Sequence, residues 1–137
     1  MLRLNKKTEY GVIALLYLNS REDKVASVRQ MSISCSIPET LLSKIMQTMK
    51  SKGLVSAHYG NQGGYQLARD LSNISLLDLN TTLVGPVQVA ECLEPGNDTC
   101  PVKDNCSILT PMSHLNQKIV ELLKETSLQT LANRGEK

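Results

Sequence analysis

Residues 27–67 read SVRQMSISCSIPETLLSKIMQTMKSKGLVSAHYGNQGGYQL, and the order of patterns inside them decides the fold. A short helix is predicted from Ser27 to about Ser34. Cys35-Ser36-Ile37-Pro38 interrupts it, and Pro38 suits the first turn of a new helix. That helix, Pro38 to Lys52, carries Leu41, Leu42, Ile45, Met46 and Met49 on one face. Thr40, Ser43, Lys44 and Gln47 lie opposite, at the i, i+3, i+4, i+7 spacing of a helix face. Gly53 closes it. Leu54 to Tyr59 and Tyr65 to Leu67 then alternate like two short strands, with Gly60-Asn61-Gln62-Gly63-Gly64 as a turn able to take positive φ. Two helices joined by a tight turn, the second with an apolar back and a polar, basic front, form a helix-turn-helix, and the hairpin after it makes a winged helix.

Working outward, Thr8 to Asn19 is dense in apolar residues (Tyr10, Val12, Ile13, Leu15, Leu16, Leu18), which predicts a core helix with Thr8 as N-cap. Downstream, Ser75 to Asp78 opens a short helix with a partial capping box, and Gly85-Pro86 stops it. Residues 91–106 are loop-like. Thr110-Pro111 then starts a long helix striped by Met112, Leu115, Ile119, Leu122 and Leu123 and reaching about Thr126. Little remains in the chain for that stripe to pack on, so a homodimer is expected; the last residues, Asn133 to Lys137, are expected to fray. The fold class is therefore mainly α: a winged helix-turn-helix with a small β-hairpin wing and a long C-terminal dimerisation helix. The segments are 1–84 for the winged helix-turn-helix, 85–109 for a cysteine-bearing loop, and 110–137 for the dimerisation helix and tail.

At 137 residues, 41% hydrophobic and 20% charged, the chain has the balance of one globular domain. Four Tyr with no Phe or Trp make the core aliphatic and methionine-rich, and argue against base stacking on an aromatic platform. The net charge of +2 hides an asymmetry. Residues 1–69 hold ten Lys/Arg against four acids, or +6, and residues 70–137 hold five against nine, or −4. A basic front half suits a phosphate-binding surface as well as a merely solvated face. No apolar run approaches a membrane span, and the stretch Gly11–Leu18 lacks the cleavage site of a signal peptide, so a cytoplasmic protein without a membrane partner is expected. There is no phosphate loop, nucleophile–base motif or paired-carboxylate motif, which leaves neither an enzyme nor a small-molecule substrate to expect.

Cys92, Cys100 and Cys106 are spaced Cys-x7-Cys-x5-Cys in a loop that also holds Pro95, Gly96, Asn97 and Pro101. Such a loop has the freedom to wrap sulfurs around a metal, and Cys106 precedes a helix N-terminus whose dipole favours thiolate. In a reducing compartment they serve as thiols or ligands rather than disulfides. Spacing alone does not separate zinc from iron–sulfur; the absence of a close Cys-x2–4-Cys pair tilts toward iron–sulfur. Cys35, at the turn of the helix-turn-helix, reads as a small, largely buried residue. His58 falls in the wing, either on phosphate or as an ordinary strand residue, and His114 reads as solvent-facing.

Together these parts resemble the dimeric winged-helix iron–sulfur regulators that include IscR and NsrR. The resemblance rests on Met-Leu-Arg-Leu-x3-Thr-Glu-Tyr-Gly at 1–11, Leu41-Leu42-Ser43-Lys44-Ile45, Lys52-Gly53-Leu54-Val55, the wing Gly60 to Tyr65 and the three cysteines. Gly85-Pro86-Val87 leading into Val89-Ala90-Glu91-Cys92, then Cys100-Pro101-Val102, is most similar to regulators of SUF-type cluster assembly. It implies a repressor or other regulator of those genes that binds double-stranded promoter DNA as a homodimer and holds a [2Fe-2S] cluster on Cys92, Cys100 and Cys106. It implies DNA contacts from Thr40, Ser43, Lys44 and Gln47 on the recognition helix, and from Tyr59, Gly60, Gln62, Gly63 and Gly64 in the wing. Leu109 stands where IscR has a histidine ligand; Glu9, at a place where some relatives offer a carboxylate from the partner subunit, is then the first candidate for fourth ligand. Tyr59 replaces the common wing arginine, Ser43 an acidic recognition residue, and Met112 a frequent tryptophan. The competing expectations are a zinc-bound or metal-free thiol sensor that binds DNA, and an iron–sulfur electron carrier, which would need neither wing nor basic half.

Overall fold

The computed structural model describes residues 3–60, 63–93, 96 and 100–135. Its elements in chain order are α1 (Lys6–Ser20), β1 (Val25–Ala26), α2 (Val28–Cys35), α3 (Glu39–Ser51), β2 (Val55–His58), β3 (Gly64–Leu67), α4 (Leu76–Leu83), α5 (Leu109–Glu125) and α6 (Leu128–Gly135), with single 3-10 turns at Leu71–Asn73, Glu91–Leu93 and Lys103–Asn105. The winged helix-turn-helix is present as expected. Among the described residues, no helix is long and apolar enough to cross a membrane.

Local chemistry sets each boundary. Helix α1 is capped three residues before the predicted point: Asn5 is the N-cap and its side chain accepts from the Lys7 amide at 2.9 Å. Thr8, expected to cap, is instead inside the helix and fully buried. Ser27 and Gln30 form a reciprocal capping box on α2, with Ser27 Oγ accepting from the Gln30 amide at 3.1 Å and Gln30 Oε1 accepting from the Ser27 amide at 2.8 Å. Helix α2 ends at Ser36 in the left-handed region (φ 56°), after which buried Ile37 anchors the turn. Pro38 is the N-cap of α3 and does not enter its first turn, because its extended ψ of 127° turns the chain into the helix. Ser75 and Asp78 complete their capping box, both arms being present.

One core joins these helices. Leu15 and Leu18 of α1, Met31 of α2, Leu42, Ile45, Met46 and Met49 of α3, Leu54, Leu71, Ile74 and Leu79 are buried together. Methionine fills the gaps that aromatic rings would otherwise occupy.

Two elements were not expected. Strand β1 pairs antiparallel with β3 (Val25 with Gln66, Ala26 with Tyr65), making a three-stranded sheet of order β1-β3-β2 from what the sequence presents as a hairpin. Beyond α5, where no further helix was expected and fraying was expected from Asn133, Leu128–Gly135 forms α6. Leu128 is buried, and the joint is stitched by Leu76 N–H to Thr126 O at 2.8 Å and Leu128 N–H to Ile74 O at 2.9 Å.

Strand β1 gives Gly64 a purpose. A Cβ there would overlap the Ala26 carbonyl of the neighbouring strand. Gly64→Ala is expected to cost about 1–3 kcal/mol by forcing the strands apart. Thermal unfolding would register the loss, and amide exchange at Val25 and Ala26 would rise with it. An unchanged melting temperature would mean that β1 does not pair in solution.

The recognition face and the cysteine segment

Helix α3 presents its polar face because its apolar face is consumed: Leu42, Ile45, Met46 and Met49 are each at most 2% exposed. Thr40, Lys44 and Gln47 are exposed, Ser43 is half-buried, and with Glu39 they line one open groove. The recognition-helix residues read from the sequence are therefore brought together on one surface. In the wing, Tyr59 is 83% exposed and Gly60 adopts φ +146°, open to a glycine. Gly63 and Gly64 are half-buried; Gln62 lies outside the described residues. His58 ends β2 and is exposed, and His114 on α5 faces solvent.

A polar network with no motif in the sequence braces the sheet beside this face. Arg21 Nε donates to the Val25 carbonyl at 2.8 Å and to Asp23 Oδ1 at 3.3 Å, while its Nη1 donates to Tyr17 Oη at 3.1 Å. Tyr17 Oη lies 3.2 Å from Ser34 Oγ on α2. The Val25 amide and Arg21 together hold the Asp23 carboxyl below its ordinary range. The signal in the sequence is the charged run Arg21-Glu22-Asp23-Lys24 between α1 and β1; Lys24 takes φ 59° in the turn there.

Cys92 lies in the 3-10 turn Glu91–Leu93, and Cys100 and Cys106 bracket the turn Lys103–Asn105. All three are free and half-buried, as is Cys35. A three-thiol donor set of this kind has the chemistry of an iron–sulfur centre. The geometry does not gather it: among the described residues no three His, Cys, Asp or Glu side chains converge on a metal-sized site. Glu9 sits in the first turn of α1, half-exposed, with Lys6 Nζ 3.0 Å from Oε2; their hydrogen bond raises the Lys6 ammonium above its ordinary value. Cys35 ends α2, half-buried rather than deeply buried, and burial pushes its thiol up, away from the thiolate a metal needs.

The segment is tied at several points. Gly85 O accepts from Asn80 Nδ2 at 3.2 Å, Val89 N–H donates to Asn116 Oδ1 of α5 at 2.9 Å, and Gln88 Nε2 donates to Leu93 O at 3.2 Å. Helix α5 then runs for 17 residues with none of them buried; Leu115 is 43% and Leu122 62% exposed.

These features match known proteins along nearly the whole chain. The Rrf2 family profile, described as an iron-dependent transcriptional regulator, matches residues 4–134. The transcriptional regulator IscR of Photorhabdus laumondii is 29% identical over 137 residues, covering 98% of this chain and 82% of that protein. Among solved structures, CymR (YrzC), the global cysteine regulator of B. subtilis, superposes with a TM-score of 0.77 at 24% identity, covering 99% of this chain and 100% of its own. T. potens IscR superposes with a TM-score of 0.74 at 23% identity, covering 98% and 89%. The exposed recognition helix, the wing and the match over residues 4–134 lead to one conclusion: the chain belongs to the Rrf2 family of DNA-binding transcriptional regulators.

Proposed function

We propose that this regulator senses iron–sulfur status through a [2Fe-2S] cluster and controls the genes of a SUF-type assembly system, binding promoter DNA as a homodimer. The observation that carries the sensing role is the placement of Cys92, Cys100 and Cys106: three free thiols on one segment tied at its root to the DNA-binding unit and at Val89 to α5. Those cysteines would hold the cluster, with Glu9 of the partner subunit as fourth ligand, and a bound cluster supplies sensitivity to iron supply and oxidants. Residues 1–84 bind DNA, 85–109 sense, and 110–137 pair the subunits by covering the exposed apolar stripe of α5 and then return to the core through α6. Thr40, Ser43, Lys44 and Gln47 face the major groove, and the wing from Tyr59 to Gly64 reaches the flanking backbone. No wing arginine is available, so base selection rests on α3 rather than on a cation in the minor groove.

Anaerobic purification with iron, sulfide and zinc counted per subunit tests this. About two irons and two sulfides per cluster are expected. A second reading, a metal-free thiol sensor, is favoured by the separation of the cysteines among the described residues. Protein that takes up neither iron nor zinc on attempted reconstitution would select it; zinc without sulfide would overturn both. The DNA contact itself is tested by salt. With about four phosphates neutralised per dimer, the slope of log affinity against log salt is expected near −3 to −5. A flat dependence would remove Lys44 and the basic half from the interface.

A further inference from the structure

Thr8 and Asn80 are the buried polar residues of the described chain, 72 positions apart, and they are bonded to each other. A hydroxyl and a carboxamide in an aliphatic core destabilise it unless their polar atoms are paired. Here they are: Thr8 Oγ1 donates to Asn80 Oδ1 at 2.9 Å, and Asn80 Nδ2 donates to Gly85 O at 3.2 Å. The amide has one consistent orientation. A backbone carbonyl only accepts, so the NH2 group must face Gly85, and Oδ1 is left for the Thr8 hydroxyl. The Val84 and Gly85 amides both return to the Asn80 carbonyl, at 2.8 and 3.1 Å. Asn80 thereby joins three things: the first turn of α1, the end of α4, and the point where the chain departs toward Cys92.

Each partner leads somewhere useful. On the α1 side, a Cβ at Gly11 would lie 2.6 Å from Leu83 Cδ1, so α1 and α4 are in close apposition beside the Thr8–Asn80 bond. Helix α1 in turn packs on α2, α3 and β3. On the segment side, the root is not enclosed. An open groove of about 420 Å³ lies beside it, lined by Asn80, Val84, Val87, Val89, Ile119 and Leu123, which leaves the segment room to move.

We propose that Thr8, Asn80 and Gly85 form a positioning joint through which the state of Cys92, Cys100 and Cys106 reaches α1 and, through it, the recognition helix. The joint rests on the cysteine-sensing function above in its broad form, that occupied or modified thiols reshape the segment, and not on which group occupies them. When the segment moves, Gly85 O moves with it. Asn80 then either follows, pulling on Thr8, or stays and strands a buried amide donor. An unpaired buried donor is costly enough to favour two discrete arrangements over a graded one.

The test uses the full, metal-stripped chain carrying Cys35→Ala, so that iodoacetamide alkylates only Cys92, Cys100 and Cys106. Hydrogen exchange is followed in peptides covering residues 6–20. In this parent, complete alkylation is expected to change α1 exchange about five- to tenfold. In Thr8→Val, near-isosteric but without the hydroxyl, alkylation still goes to completion by mass while α1 exchange no longer responds; Thr8→Ser restores the response. A hydrogen bond of purely structural value would raise exchange equally before and after alkylation and leave the response intact. A surviving response in Thr8→Val, or none in the parent, overturns the joint. Asn80→Ser, too short to reach both partners, gives the same comparison should Thr8→Val unfold. Failure of the iron–sulfur function shows elsewhere, as missing iron and sulfide in the unmodified protein.

Discussion

Cys100→Ala is expected to abolish the visible absorbance that a cluster would give the anaerobically purified protein, and to leave the fold intact. The expected loss is complete because a three-thiol set has no spare sulfur: the remaining free thiol, Cys35, ends α2 in the helix-turn-helix, and burial keeps it protonated. The expected change in folding stability is small, within about 0.5 kcal/mol, since Cys100 is half-exposed and outside the core. Circular dichroism and a melting curve alongside the spectrum separate the two effects. Cys35→Ala is the control: it trims a side chain packed against the core and should lower the melting temperature while keeping the absorbance. An unchanged spectrum in Cys100→Ala would remove the ligand assignment. For Glu9→Ala, a weakened cluster with unaltered apo-protein DNA binding is expected, because the Glu9 carboxylate pairs with Lys6 at the surface, outside the core.

What could be read from the sequence follows from where the information lies. The helix-turn-helix and wing were legible because their signals are local: the apolar stripe of α3, the break at Ser36 to Pro38, the glycine-rich turn after His58. The exposed polar face of α3 was legible for the same reason, being the reverse of that stripe. Strand β1 was not, since two residues carry no period of their own and exist as a strand only because β3 is there to pair with. Thr8 was misplaced as a cap because its hydroxyl suits that role locally; its actual partner, Asn80, is 72 residues away and nothing local announces it. The cysteines were legible as a set of residue types but not as a geometry, because a loop of short 3-10 turns has no periodicity to place its side chains. Helix α6 could have been found. Leu128, Leu131 and Ala132 follow the i, i+3, i+4 spacing, although the stretch is short and the residue it is pinned to, Ile74, is distant in sequence.

That helix is the site of the second large effect. Leu128→Ala is expected to destabilise the chain by about 3–4 kcal/mol, the range for a fully buried leucine whose site collapses little. In a chain of this size that lowers the melting temperature by roughly 10 °C. Leu128 has no exposed surface, and its amide and the Thr126 carbonyl form the two backbone hydrogen bonds that pin the α5–α6 turn against Ile74 and Leu76. Leu131 and Ala132 pack beside it on the same core. The consequence extends past stability. Helix α5 has no buried residue of its own, so its direction relative to the DNA-binding unit rests on its contacts with α4, the Val89–Asn116 hydrogen bond and this turn at its far end. Loosening the turn frees α5 to swing, and with two half-sites to reach at once a dimer tolerates little swing. Leu128→Ala should therefore lose affinity for a two-half-site operator, measured well below its own melting temperature, more than affinity for an isolated half-site. Equal losses on both would place α6 in the stability of the core alone. A melting temperature within a degree or two of wild type would mean that α6 does not dock as described.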